Sequence, residues 1–190
     1  MRRTRATAAV AVGVALLALA GCGGAARGRA SGPFAWLKPS SPPTGWKTAR
    51  IAGGATLAFP PAWRPIKTDP GTASVALLGH AGQIDGYLNA TPNQGTETLA
   101  NWSRFRPTHN QGEGDRDDRV VAATANGHFH SGRGACVIDT YTTSKAAYRE
   151  IACLVSGKKS TAVVVGAAPS ALWRRQAATL ERAVSSFVSP

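Results

Sequence analysis

The stretch that most restricts what this chain can fold into lies around its last two cysteines. Two strand-like runs, His128 to Tyr141 and Tyr148 to Val155, flank a short polar turn at Thr142–Ala147. Folding them against each other about that turn sets Cys136 opposite Cys153, Ile138 opposite Ile151 and Tyr141 opposite Tyr148. One register thus makes three pairs of like with like, and directly opposed side chains are what stabilise an antiparallel pair. Opposed residues approach within about 4.5–5.5 Å, which suits a disulfide between Cys136 and Cys153. Closing that loop should contribute about 3 kcal/mol. The cysteines and isoleucines share one side of the hairpin, the side expected to face the core.

The other side carries a harder problem. The same register opposes Asp139 to Glu150, beside the two tyrosines. Opposed carboxylates repel, and a retaining glycosidase holds such a pair about 5 Å apart. An envelope hydrolase built on Asp139 and Glu150 is therefore one functional alternative. Against it, the pair is expected on an outward sheet face without a cleft, solvated or neutralised by a neighbouring Arg or Lys. A bulge at Gly132–Gly134 would also break the register.

Disulfides belong to oxidising compartments, and the start of the chain points to one. Met1-Arg-Arg-Thr-Arg5 is basic, Ala6 to Ala20 is small and aliphatic apart from Thr7, and Leu19-Ala-Gly-Cys22 follows. A basic start, a short apolar core and small residues at its end mark an export signal. The run is shorter than the ~20 residues a spanning helix needs. This resembles bacterial lipoprotein precursors, and the resemblance implies cleavage before Cys22 and diacylation of that cysteine. Two acyl chains give a durable anchor. The expected organisation is a signal peptide over 1–21, a lipidated basic tether rich in Gly, Pro and Ser over 22–45, and a single domain over 46–190. Phe34, Trp36 and Leu37 interrupt the tether, and two readings stay open: they touch the membrane or they dock on the domain.

Charge supports that division. The net charge is +12, but three arginines leave with the signal, and residues 22–50 hold five basic side chains and no acid. After Arg50 there are 14 basic residues against 10 acidic, a surplus of four. The excess positive charge thus sits in the tether, where anionic head groups attract it by about 1 kcal/mol per side chain. A nucleic-acid-binding domain would concentrate it on the folded face instead, so no nucleic-acid partner is expected.

Strands are expected at Ala55–Phe59, Ser74–Leu78 and Ile84–Ala90. A helix follows from Glu97 to Arg106, capped by Thr96 and ended by Pro107. Asn110 to Asp118 reads as a mobile surface loop. Strands resume at Val120–Thr124, turn at Asn126-Gly127, and continue through the cysteine hairpin to Thr161–Val165. Trp173, Ala177, Leu180, Val184 and Phe187 then make one apolar stripe on a closing helix.

Other constellations carry little. His128 and His130 flank Phe129 and could begin a metal site, the other footing for an envelope hydrolase, but no third ligand is indicated. The acids from Glu113 to Asp118 alternate with arginines and lack EF-hand spacing. No Gly-x-Ser-x-Gly, Ser-x-x-Lys, His-Glu-x-x-His or phosphate-loop motif occurs. Neither a metal nor a cofactor is expected.

The strand running into Phe59-Pro-Pro-Ala-Trp63, the middle helix, the run of antiparallel strands and the closing helix ending in Ser185-Ser-Phe187 resemble PsbP-like α/β domains. They are similar to the small lipoproteins of high-GC Gram-positive bacteria that share that fold. The resemblance covers roughly residues 46–188. It implies an α+β fold, an antiparallel sheet packed against a middle helix and a C-terminal amphipathic helix, with binding or accessory roles more than enzymatic ones. It transfers no functional residue, and the cysteine hairpin departs from it. The combined expectation is a membrane-anchored, extracytoplasmic, non-catalytic module. No residue pattern specifies a ligand, a protein partner or an oligomeric state.

Overall fold

A computed structural model describes residues 32–93 and 95–190. The signal segment and Cys22 lie outside the described residues. A seven-stranded, wholly antiparallel sheet runs through the domain. Its strands in chain order are β3 (Arg64–Pro65), β4 (Ala73–Leu78), β5 (Ile84–Pro92), β6 (Arg116–Phe129), β7 (Gly132–Thr142), β8 (Ala147–Ser156) and β9 (Thr161–Pro169). Across the sheet they lie in the order β3-β4-β5-β9-β8-β7-β6. A separate hairpin pairs β1 (Lys47–Arg50) with β2 (Thr56–Phe59). Two helices complete the fold, α1 (Trp102–Gly112) and α2 (Trp173–Ser185).

Alternation along the strands decides which helix covers which face. Val75, Leu88, Ile151, Val164 and their neighbours point to one side, where Leu180, Val184 and Phe187 of α2 meet them with Leu57 and Phe59 of β2. All are buried. Gly86 belongs to this face because a Cβ there would come within 2.8 Å of the Trp63 ring. The expected apolar stripe of the closing helix is therefore its packing seam. The opposite face holds a smaller apolar cluster, Ala135, Val137, Ala152, Leu154, Val163 and Val165, under Trp102 of α1.

The cysteine hairpin has the expected register along its whole length, from Arg133 opposite Ser156 to Thr142 opposite Ala147. No bulge enters at Gly132–Gly134 on this side. Cys136 and Cys153 are disulfide-bonded, with their Cα atoms 4.1 Å apart, and both are buried in the α2-facing core.

Three local expectations need correction. The middle helix begins at Trp102, because Thr98 and Asn101 first close a turn. The Thr98 amide donates to Asn101 Oδ1 at 2.7 Å and the Asn101 amide to Thr98 Oγ1 at 3.2 Å. The helix then continues past Pro107 to Gly112. Proline removes the hydrogen bond to Ser103, but Ser103 is exposed. Helix and strand thus consume most of the expected loop over 110–118. Finally, Asn126-Gly127 is not a turn. β6 runs on to Phe129, with a register break between Thr124 and Gly127, and the chain reverses at His130–Ser131.

Phe34 and Trp36 pack against the α2-side core and Leu37 is buried in it. The Ser40 amide donates to the Ser185 carbonyl at 3.3 Å. These residues dock on the domain, so its packed part reaches back well before residue 46. Among the described residues no helix is long and apolar enough to cross a membrane.

Candidate functional site

The α1 face of the sheet is only half covered. α1 lies over β6, β7 and β8, and its Trp102 reaches Val163 and Val165 of β9, whereas β4 and β5 border an open groove on that side. Between α1 and the segment 67–72, which leads into β4, the sheet forms the floor of a groove of about 770 Å³. That lies within the range of about 300–1,000 Å³ usual for small-molecule sites.

The floor follows from period-two alternation in β5. Leu88 and Ala90 turn to the α2 core, so Tyr87, Asn89 and Thr91 turn to the groove. A connected set of hydrogen bonds orders the polar part. Asn89 Nδ2 donates to Ser74 Oγ at 2.9 Å, and Ser74 Oγ donates to Thr68 Oγ1 at 3.0 Å. The Tyr87 hydroxyl lies 3.3 Å from Ser74 Oγ. Val163 and Val165 of β9 make the apolar part.

The other wall is one face of α1. Trp102, Phe105 and His109 stand three and four residues apart, which stacks them along the helix. Their ring centroids are 6.0 and 5.9 Å apart. Trp102 is buried, and its Nε1 donates to the Ala152 carbonyl at 3.0 Å, pinning the start of α1 to β8. The rim is acidic at the C-terminal end of α1, where Glu113 and Asp115 line the opening. Burial, then the neighbouring Glu150 carboxylate, raises the Asp115 carboxyl above its ordinary value.

Arg106 joins this groove to the carboxylate pair. Asp139 and Glu150 oppose each other, as expected. They do not face solvent as expected, because α1 covers them: Asp139 is 0% and Glu150 1% exposed. Arg106 Nε donates to Glu150 Oε1 at 2.6 Å, forming the one ion pair among the described residues. The Tyr141 hydroxyl donates to Glu150 Oε2 at 3.2 Å and stacks on Tyr148 at 5.8 Å. Both Asp139 oxygens are buried without a hydrogen-bond partner. Burial first and the Glu150 charge second push the Asp139 carboxyl up to about 8, although Arg106 pulls the other way. Burial opposes the Arg106 charge, yet Glu150 outweighs it and holds the guanidinium above its ordinary value. Asp139 thus holds its proton more tightly than an ordinary carboxyl, beside the Arg106–Glu150 ion pair.

This arrangement bears on the hydrolase alternative. Glu150 spends its oxygens on Arg106 and Tyr141, and Asp139 is sealed beneath the helix, so neither presents a carboxylate to the groove. His128 and His130 are exposed at the β6–β7 reversal. Among the described residues no three His, Cys, Asp or Glu side chains converge to hold a metal ion.

Neutralisation of the pair by an Arg was expected in kind; that the arginine is Arg106 was not. The groove was missed as well. The signal available for it was the alternation of Tyr87, Asn89 and Thr91 with Leu88 and Ala90, which gives β5 one polar and one apolar face.

No family model matches this chain, and no curated protein is similar to it. Solved structures are. The solution structure of cyanobacterial PsbP (CyanoP) from Synechocystis sp. PCC 6803 aligns over 76% of this chain and 92% of its own, with a TM-score of 0.56 and 14% identity. A protein of unknown function from Pseudomonas aeruginosa aligns over 75% of this chain and 96% of its own, with a TM-score of 0.43 and 9% identity. LpqN, involved in cell envelope biogenesis of Mycobacterium tuberculosis, aligns over 74% and 86%, with a TM-score of 0.35 and 12% identity. The last two likenesses are too loose to argue from. The first establishes the fold: this is an α+β domain with PsbP-like architecture.

Proposed function

We propose that this chain is a lipid-anchored protein of the extracytoplasmic face of a bacterial cell membrane. Its folded part is a non-catalytic binding module, and the groove between α1 and β4-β5-β9 is where it binds. The lipoprotein-like Leu19-Ala-Gly-Cys22 after an export signal and the buried disulfide support the location. The observation that carries the binding role is the groove itself, a concave site with an ordered polar floor and an aromatic wall. The chain's conspicuous carboxylate pair stands behind that wall, and Glu150 holds it through Arg106.

The test uses protein purified from its native membranes. Intact mass should show a chain beginning at a diacylated Cys22, and Cys22→Ala should move the protein to the soluble fraction. Solvent extraction of the same preparation should release a small molecule that Thr91→Trp, which fills the groove from its floor, no longer retains. An unmodified soluble chain would overturn the anchor. A molecule retained equally by Thr91→Trp would overturn the groove.

A further inference from the structure

The groove's moving part is suggested by the cluster beneath its wall. Asp139 on β7 faces Glu150 on β8, Arg106 on α1, Asp118 on β6 and Asp115 on the α1–β6 connection, with Tyr141 on its own strand. Arg106 is the only cation in that set. It supplies one positive charge to two buried, opposed carboxyl groups, and it stands in the middle of the helix that walls the groove. Asp118 adds no cation and is itself tied to α1, accepting a bond from Asn110 Nδ2 at 3.0 Å.

We propose that Asp139 is a proton lock on the α1 wall. With its proton in place, Arg106 belongs to Glu150 and the helix rests on the sheet; without it, the C-terminal half of α1 moves and the groove changes shape. This rests on the groove as the binding site for its consequence, which is proton-linked affinity, and it is tested without any ligand.

The physical reason is charge balance in a dry site. Losing the proton adds a negative charge to a cluster whose one cation is already held by Glu150, and it leaves two carboxylates on directly opposed strand positions. A buried unpaired charge is relieved by drawing in a counter-charge or water. Arg106 is the counter-charge within reach, and drawing it toward Asp139 takes it off Glu150. The start of α1 is pinned by Trp102 to Ala152, so the displacement falls on residues 106–112.

The direction with pH follows from linkage. Asp139 binds its proton far more tightly folded, with a value of about 8, than its ordinary value of 3.8. The folded form therefore holds the extra proton between those values. Stability is greatest below them, falls as pH rises through the window and levels off above about 8. Asp115 and Asp118 are also raised and act in the same sense.

The experiment is an amide and indole NMR titration of the full-length protein in detergent micelles from pH 5.5 to 9.5, alongside Asp139→Asn, in which a neutral amide stands in for the protonated acid. In the wild type, amides 106–112 should shift together with one midpoint near 8 and lose about tenfold in exchange protection. Amides of α2 should stay flat, and Asp139→Asn should abolish the transition. Flat α1 signals in the wild type would overturn the lock, as would the same transition persisting in Asp139→Asn. Failure of the groove as a binding site would appear instead in the extraction experiment, with the titration intact.

Discussion

The two faces of the sheet solve the same packing problem in opposite ways. On the α2 side the strands present Val75, Leu88, Ile151 and Val164, and α2 answers with Leu180, Val184 and Phe187, all buried. This contact is apolar, and the disulfide lies inside the layer. On the α1 side the helix covers half the sheet, seals an acid pair under itself and leaves a groove beside it. Burying Asp139 and Glu150 costs free energy that an apolar pair would not. A domain that was only scaffold would gain from filling both faces alike. The contrast fits the proposal that one face supplies stability and the other the binding site.

The largest effect should come from breaking the α1 side at its hinge. Arg106→Met leaves Glu150 charged and unpaired in a dry site, and should cost about 3–5 kcal/mol of unfolding free energy by urea denaturation. Arg106→Lys should restore only part of it, since an ammonium does not reproduce the guanidinium geometry.

Next comes the α2 side. Replacing Cys136 and Cys153 together by alanine should lower stability by about 3 kcal/mol, read in the same assay, without changing the pH dependence of α1. If that double variant shifted the α1 transition, the two faces would not be independent.

The smallest effect should be at the histidines. His128→Ala and His130→Ala sit on an exposed reversal away from both faces and should stay within about 0.5 kcal/mol of wild type.

The α2 face was largely legible in the sequence, because its determinants are local: a hairpin that pairs like residues, and a helical stripe of Trp173, Ala177, Leu180, Val184 and Phe187. The α1 face was not. Its ion pair joins residues 44 positions apart, and nothing near Arg106 marks Glu150 as its partner. Pro107 marks a stop in the sequence because proline costs a helix one hydrogen bond, yet here the freed acceptor lies on an exposed turn. Asn126-Gly127 favours a turn on propensity, and pairing with β7 overrides it. The register set Asp139 opposite Glu150 but could not say that a helix would lie across them. The groove arises where β4, β5, β9 and α1 meet, and no single stretch of sequence spans those elements.

The most direct measurement compares a large side chain added to each face. Thr91→Trp points into the groove, whereas Ala168→Trp enters the α2 core, where Ala168 is 0% exposed. If one face is open for binding and the other is full, Thr91→Trp should unfold in urea within about 0.5 kcal/mol of wild type. Ala168→Trp should lose about 3 kcal/mol or fail to fold. Equal losses at both positions would mean that the α1 side is as closely filled as the α2 side, contradicting the division of labour between them.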